Sequence, residues 1–174
     1  MTDPGTFSSP LDRRLLTSGV LFGIGVAAFV DEVVFHQLLH WHHFYDLSTT
    51  RVGLVSDGVL HAFGWFATVA GLFLLADVRR RRGPGIPRWW PAVLVGAGGF
   101  QLFDGILVHK VLRVHQVRYE VVPAGVAGPG PHQPVDDLLV YDVAWLASGA
   151  LPLVVGLVAW RLATRKSDAR RAPD

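Results

Sequence analysis

The amino-acid sequence predicts an all-α fold, a polytopic membrane four-helix bundle, in one domain that covers residues 1–174. Hydrophobic residues make up 51% of the chain. Four apolar stretches are each long enough to cross a hydrocarbon layer of about 30 Å at about 1.5 Å per residue, namely 15–39, 52–78, 89–112 and 138–163. Residues 63–76 and 144–160 are almost wholly apolar around the helix, whereas helices of a soluble bundle carry a polar face.

Basic residues predict the orientation of these helices. Most of them precede the first stretch, separate the second from the third, or follow the fourth, and only Arg51, Lys110, Arg113 and Arg118 flank the other helix ends. By the positive-inside rule, both termini and the middle loop are expected in the cytoplasm. The first stretch lacks a signal-peptide cleavage pattern, so we expect it to be retained. We therefore expect a multi-pass protein of the bacterial inner (plasma) membrane that contacts the lipid bilayer and binds no nucleic acid.

The two halves of the chain share a pattern. Six residues recur at a constant offset of 73: Gly23, Gly25, Asp31, His36, Leu39 and His42 match Gly96, Gly98, Asp104, His109, Leu112 and His115. The next helices match at an offset of 85: Asp57, Gly64, Gly71 and Leu72 align with Asp142, Gly149, Gly156 and Leu157. Membrane composition alone supplies some glycine and leucine matches, but a shared Asp-x4-His-x5-His pattern favours two duplicated transmembrane hairpins.

Ionisable residues converge near the predicted outer face. An ionised carboxylate inside a bilayer costs at least about 2.5 kcal/mol, and a bound cation removes that cost. The chain has no cysteine and its one methionine is Met1, so only imidazole and carboxylate ligands are available. Such ligands indicate copper or zinc first, with iron or haem as alternatives. The candidate metal ligands are Asp31, His36, His42, Asp57, His61, Asp104, His109, His115 and Asp142.

The spacing within each motif raises a geometric difficulty. Asp31 and His36 are five residues apart, about 140° around an ideal α-helix, and the same holds for Asp104 and His109. A π-bulge or local unwinding near the outer end would bring each pair together. Alternatively, one member of each pair orients the ring of the other without touching the metal.

Some candidates also have an ordinary structural interpretation. Asp57 and Asp142 lie near the expected starts of the second and fourth helices, where they fit N-caps. Taken alone, each of His40, His42 and His43 fits a solvated residue at the membrane surface better than a metal ligand. His132 lies in a loop rich in proline and glycine and carries little weight.

Three segments, FVDEVVFHQLLHWHH, SDGVLHAFGW and FDGILVHKVLRVHQVR, carry a resemblance. The chain resembles an uncharacterised family of small bacterial four-helix predicted membrane proteins, a domain of unknown function, from about residue 15 to residue 163. The resemblance implies an inner-membrane location and no settled activity. More distantly, the Asp–His–His pattern looks like the copper-binding transmembrane motif of particulate methane monooxygenases, which has a closer Asp–His pair and a different subunit architecture.

These observations favour a metal-binding membrane protein for copper or zinc handling or oxidase assembly. Respiratory-oxidase assembly or metal-delivery proteins are the expected partners, and a homo-oligomer is compatible with the sequence. One alternative is a metal- or haem-dependent membrane enzyme, an oxidoreductase or hydrolase, with His61 and His109 as candidate haem ligands. Another is a proton- or cation-conducting protein, although the inner halves of the helices lack core-facing ionisable residues. Whether the protein is an enzyme is left open by the sequence.

Overall fold

The computed structural model describes residues 9–119 and 135–169, and the regular secondary structure of that part is helical. The helices are α1 (Pro10–Leu38), α2 (Thr50–Arg80), α3 (Ile86–Leu112) and α4 (Leu138–Ala169). Each contains a segment long and apolar enough to cross a membrane, as predicted. Helices α1 and α2 begin before the apolar stretches because Ser9 and Thr49 cap them, each accepting a hydrogen bond from a backbone N–H three residues later.

Helices α1 and α3 both change from α-helix to π-helix towards the same end of the molecule. In α1 the α-helical segment Pro10–Asp31 is followed by a π-helical segment, Glu32–Leu38. In α3 the α-helical segment Ile86–Leu102 is followed by Phe103–Leu112 in π-helical form. A π-helix pairs residues five apart, so such residues lie on the same side. Of the alternatives that the Asp–His spacing left open, the structure has the π-helical one in both helices.

The centre of the molecule is the contact between α1 and α3. Helix α2 packs on α1, and α4 packs on α3. A Cβ atom added to Gly23 would lie 2.1 Å from the carbonyl oxygen of Val93, and one added to Gly96 would lie 2.2 Å from that of Val20. Only glycine allows backbones to approach this closely, which is how helices associate where no hydrophobic collapse drives them.

The flanking helices use glycine contacts in the same way. An added Cβ on Gly25 would lie 2.6 Å from the carbonyl oxygen of Gly64, and one on Gly98 would lie 2.5 Å from that of Gly149. The residues of the second contact follow those of the first by 73 and 85 positions, which are the offsets seen in the sequence. Equivalent residues therefore make equivalent contacts in the two halves.

Ion pairs join the helices at the end away from the π-helical segments. Arg88 Nη1 lies 2.9 Å from Oδ1 of the buried Asp12, which connects α3 to α1. Arg14 pairs with Asp77, which connects α1 to α2. This basic end carries the arginines on which the predicted orientation depends.

We expect Gly96→Ala to destabilise the protein and the neighbouring change Gly99→Ala to leave stability unchanged or slightly raised. A methyl group at Gly96 meets the backbone of α1, which can move only by separating the helices, and such overpacking costs about 1–3 kcal/mol. A Cβ on Gly99 meets nothing within 4 Å, and alanine favours a helix over glycine by about 1 kcal/mol. Thermal unfolding in detergent, followed by circular dichroism, measures both; equal melting temperatures would contradict the close α1–α3 contact.

Candidate metal centre

Seven of the nine candidate ligands lie together and buried near the π-helical segments, each at most 4% exposed. They come from α1, α2 and α3 and from the loops that follow α1 and α3. We call this set the buried His/Asp cluster: Asp31, His36, His42, Asp57, Asp104, His109 and His115.

The π-helical segments bring the aspartate and the histidine of each Asp–His pair close together. His109 Nε2 lies 2.8 Å from Asp104 Oδ2, and His36 Nε2 lies 3.8 Å from Asp31 Oδ2. An α-helix would point these side chains in different directions, whereas the π-helix turns both towards the bundle interior. Both members of each pair therefore belong to the buried cluster.

The third residue of each motif returns to the cluster from a loop. Beyond each π-helical segment the chain turns at a left-handed residue, His40 (φ 51°) or Arg113 (φ 52°). The loops then cross: Asp46 N–H donates to the carbonyl of Val114. Reciprocally, Tyr119 N–H donates to the carbonyl of Trp41. These crossed bonds hold both loops over the ends of α1 and α3.

Backbone carbonyls fix the tautomers of His42 and His115. His42 Nδ1 lies 2.8 Å from the carbonyl oxygen of Val117, and His115 Nδ1 lies 2.9 Å from that of Phe44. A carbonyl only accepts, so Nδ1 carries the proton and Nε2 offers its lone pair to the cluster. The two rings stack with centroids 4.4 Å apart.

Burial also keeps these two histidines neutral. It lowers the pKa of His115 to about 4, and neighbouring His109 lowers it further while Asp104 raises it. Burial, followed by the nearby imidazoles His115, His36 and His109, lowers the pKa of His42 well below its usual value. The neutral imidazole is the form that binds metal ions, so both rings are ready to bind at neutral pH.

Two triads that share His42 have the spacing of metal ligands. In each, one ligand atom per residue lies within 4.8 Å of the others, and every residue is buried. One triad is His42, His109 and His115, and the other is Asp31, His36 and His42.

Several polar atoms of the cluster have no hydrogen-bond partner within the described part of the chain. They are Asp31 Oδ1, His36 Nε2, His42 Nε2 and His109 Nδ1. Leaving one buried polar group unsatisfied costs about 1–3 kcal/mol, so the cluster as built favours a cation that several lone pairs share.

His109 and His115 share a proton within the cluster. His109 Nε2 lies 2.9 Å from His115 Nε2, which must accept because Nδ1 of the His115 ring donates. A cation between these nitrogens replaces the shared proton, so binding there releases H⁺.

Asp57 joins α2 to the cluster and to the first loop. Its Oδ1 accepts from Phe44 N–H at 2.7 Å and lies 3.1 Å from His36 Nδ1, while Oδ2 lies 2.6 Å from His43 Nδ1. The N-cap interpretation of Asp57 was wrong, because the cap of α2 is Thr49, eight residues earlier.

The structure does not bring His61 or Asp142 to the buried cluster. His61 is exposed, and its ring lies 5.1 Å from that of Phe29. The buried side of α2 follows Asp57, Leu60 and Gly64, and His61 falls beside that line. Asp142 pairs instead with Lys110 at 2.6 Å. Its N-cap interpretation was also wrong, since α4 begins at Leu138.

Two other residues border the cluster without having been among the candidates. Glu32 is 1% exposed, and its Oε2 lies 2.8 Å from His36 Nδ1. His43 is partly buried against Asp57. Both residues share a helix stripe with His36 by simple spacing, Glu32 four residues before it and His43 seven residues after it. The π-helix turns the carboxylates of both Asp31 and Glu32 inward. His40 is exposed, and His132 lies outside the described residues.

Comparisons with known proteins agree with the helical membrane architecture. Residues 18–163 match the family described as "Predicted membrane protein (DUF2243)". Neither the curated proteins nor the solved structures gave a match. The matched region contains every residue of the buried His/Asp cluster. The chain therefore belongs to the predicted membrane protein family DUF2243.

Proposed function

We propose that the protein binds a transition metal ion in the buried His/Asp cluster and serves copper or zinc handling or oxidase assembly. The observation that carries this proposal is the triad His42, His109 and His115, whose ligand atoms lie within 4.8 Å of one another. Two of these imidazoles have their protonated nitrogen bound to a backbone carbonyl and the other nitrogen turned inward. Outer hydrogen bonds of this kind orient metal-binding histidines.

The ligand set narrows the choice of metal. Imidazole and carboxylate suit zinc and cupric copper, whereas cuprous carriers rely on sulfur, and this chain has no cysteine and only Met1. The imidazole centroids of the pairs His36–His42, His42–His115 and His109–His115 lie 4.4–4.6 Å apart. That spacing suits ligands of a small ion better than the two sides of a haem, and the proposed haem ligand His61 is exposed.

The proposal includes the arrangement of the chain in a bacterial inner membrane. Two duplicated hairpins with cytoplasmic termini would place the cluster near the outer face. Equivalent glycine contacts, crossed loop bonds and left-handed turns at offsets of 73 and 85 support the duplication. Arginines at the opposite end of the helices support the orientation. A site near the outer face is suited to exchange with metal-delivery or oxidase-assembly proteins.

We expect His115→Ala to weaken zinc or cupric copper binding by about 100-fold or more, because it removes a buried ligand atom of the triad. Asp104→Asn should also weaken binding, because it removes the negative charge that lies 2.8 Å from His109 Nε2. His61→Ala and His40→Ala are matched controls, since both residues are exposed histidines of the same region. Equilibrium dialysis of protein purified without chelator, followed by elemental analysis, gives the affinities. Circular dichroism checks that each variant folds. Unchanged binding in folded His115→Ala and Asp104→Asn would contradict the proposed site.

Orientation can be tested with single cysteines, because the chain has none of its own. We expect a membrane-impermeant maleimide to label His40→Cys in right-side-out vesicles. Arg79→Cys, at the basic end of α2, should react only after the vesicles are permeabilised. Both residues are exposed, so accessibility depends on the side of the membrane. The opposite labelling pattern would place the cluster on the cytoplasmic side.

A further inference from the structure

We propose a second cation site beside the first, formed by Glu32, Asp57 and Nδ1 of His36, with His43 at its edge. One ligand atom from each of Glu32, His36 and Asp57 lies within 4.8 Å of the others, and all three residues are buried. We call this the carboxylate site. The neighbouring site, formed by the residues of the two Asp–His–His motifs, is called the motif site: Asp31, His36, His42, Asp104, His109 and His115. The inference rests on the proposed function only through His36, which both sites share.

The two ring nitrogens of His36 face different carboxylates. Nε2 faces Asp31 at 3.8 Å. Nδ1 lies 2.8 Å from Glu32 Oε2 and 3.1 Å from Asp57 Oδ1. One imidazole therefore reaches the motif site through one nitrogen and the carboxylate site through the other.

Glu32 supplies independent evidence for a ligand. Its Oε1 accepts a hydrogen bond from Gln37 at 2.8 Å, which fixes the carboxylate. Its Oε2 is fully buried and lies 2.8 Å from His36 Nδ1. Asp57 Oδ1 approaches the same nitrogen at 3.1 Å, and because Nδ1 carries at most one proton, this ring does not satisfy both carboxylates. The Glu32 side chain is 98% buried, and a carboxylate at that depth needs its charge compensated. A cation shared by Glu32, Asp57 and His36 meets that need.

The second half of the chain shows that the fold does not require these residues. Glu32 corresponds to Gly105 at the offset of 73, and a Cβ there would lie 2.6 Å from the Trp145 ring. Asp57 corresponds to Asp142, which pairs with Lys110. An apolar ring thus occupies in one half the position that a carboxylate holds in the other. Helices α3 and α4 pack without a carboxylate site, so its presence on α1 and α2 calls for a role other than folding.

The donor set specifies a class of ion. Two carboxylates with one or two imidazoles suit Mn²⁺, Fe²⁺ or Zn²⁺, and they are poor ligands for cuprous copper. When both sites are filled, His36 binds one ion through each nitrogen as an imidazolate. Its ring then loses the remaining N–H proton to water, and no redox change is involved.

The test uses the full-length protein in detergent and Mn²⁺ as the probe. We expect Glu32→Gln to bind one Mn²⁺ ion fewer per chain than the wild-type protein, measured by equilibrium dialysis with elemental analysis and by Mn²⁺ electron paramagnetic resonance. Asp142→Asn is the matched control, because it removes the equivalent carboxylate of the other half, and it should bind as the wild type does. Glu32→Asp keeps the charge on a shorter side chain and should weaken Mn²⁺ binding at least about tenfold.

The outcomes separate this inference from the proposed function. Retained Mn²⁺ binding in His115→Ala, together with loss of zinc or copper, supports two sites. Equal Mn²⁺ binding by wild type, Glu32→Gln and Glu32→Asp overturns the carboxylate site. Loss of every ion in Glu32→Gln also overturns it, since it shows a single shared site. Unchanged zinc and copper in His115→Ala overturns the motif site alone.

Discussion

Burial of charge at one end of four apolar helices is the constraint on which the rest of this structure depends. Four carboxylates and four imidazoles lie almost completely out of solvent there: Asp31, Glu32, Asp57, Asp104, His36, His42, His109 and His115. Like charges this close raise one another's free energy, and several of their atoms have no hydrogen-bond partner. A shared cation would neutralise the carboxylates and use the free lone pairs together. The helices, loops and glycine contacts can all be understood as holding this arrangement in place.

Close helix packing and local helix distortion act together to build the site. Gly23 and Gly96 let the backbones of α1 and α3 touch, which brings the two motifs to one place. The π-helical segments then turn Asp31 and Asp104 towards the same interior as the histidines five residues later. The π-helix is rare in proteins, and where it interrupts an α-helix it is frequently found at a functional site. Its presence in both halves, next to both Asp–His pairs, ties the distortion to the cluster.

The sequence predicted the features that depend on local periodicity. Apolar length predicted the four helices. The five-residue Asp–His spacing indicated a departure from the ideal α-helix, with a π-bulge as one of the alternatives, because buried polar residues must face inward. Features that depend on packing between helices were not accessible in this way. His61 shares a helix face with Asp57 by simple spacing, yet the seam between α1 and α2 passes beside it. Asp142 matches Asp57 at the sequence offset of 85, but Lys110 on the neighbouring helix pairs with it. Glu32 shares a helix stripe with His36 by simple spacing, but the approach of Asp57 to the same ring depends on how α2 packs against α1.

Locating a bound ion tests the central claim most directly. Crystals of the protein grown with zinc would be measured on both sides of the zinc absorption edge, and anomalous difference maps would give the position of the metal. The account predicts a peak among the Nε2 atoms of His42 and His115 and the ring of His109, with nitrogen and oxygen ligands at about 2.0–2.2 Å. Zinc only at exposed histidines such as His40 or His61, with none inside the buried cluster, would contradict it.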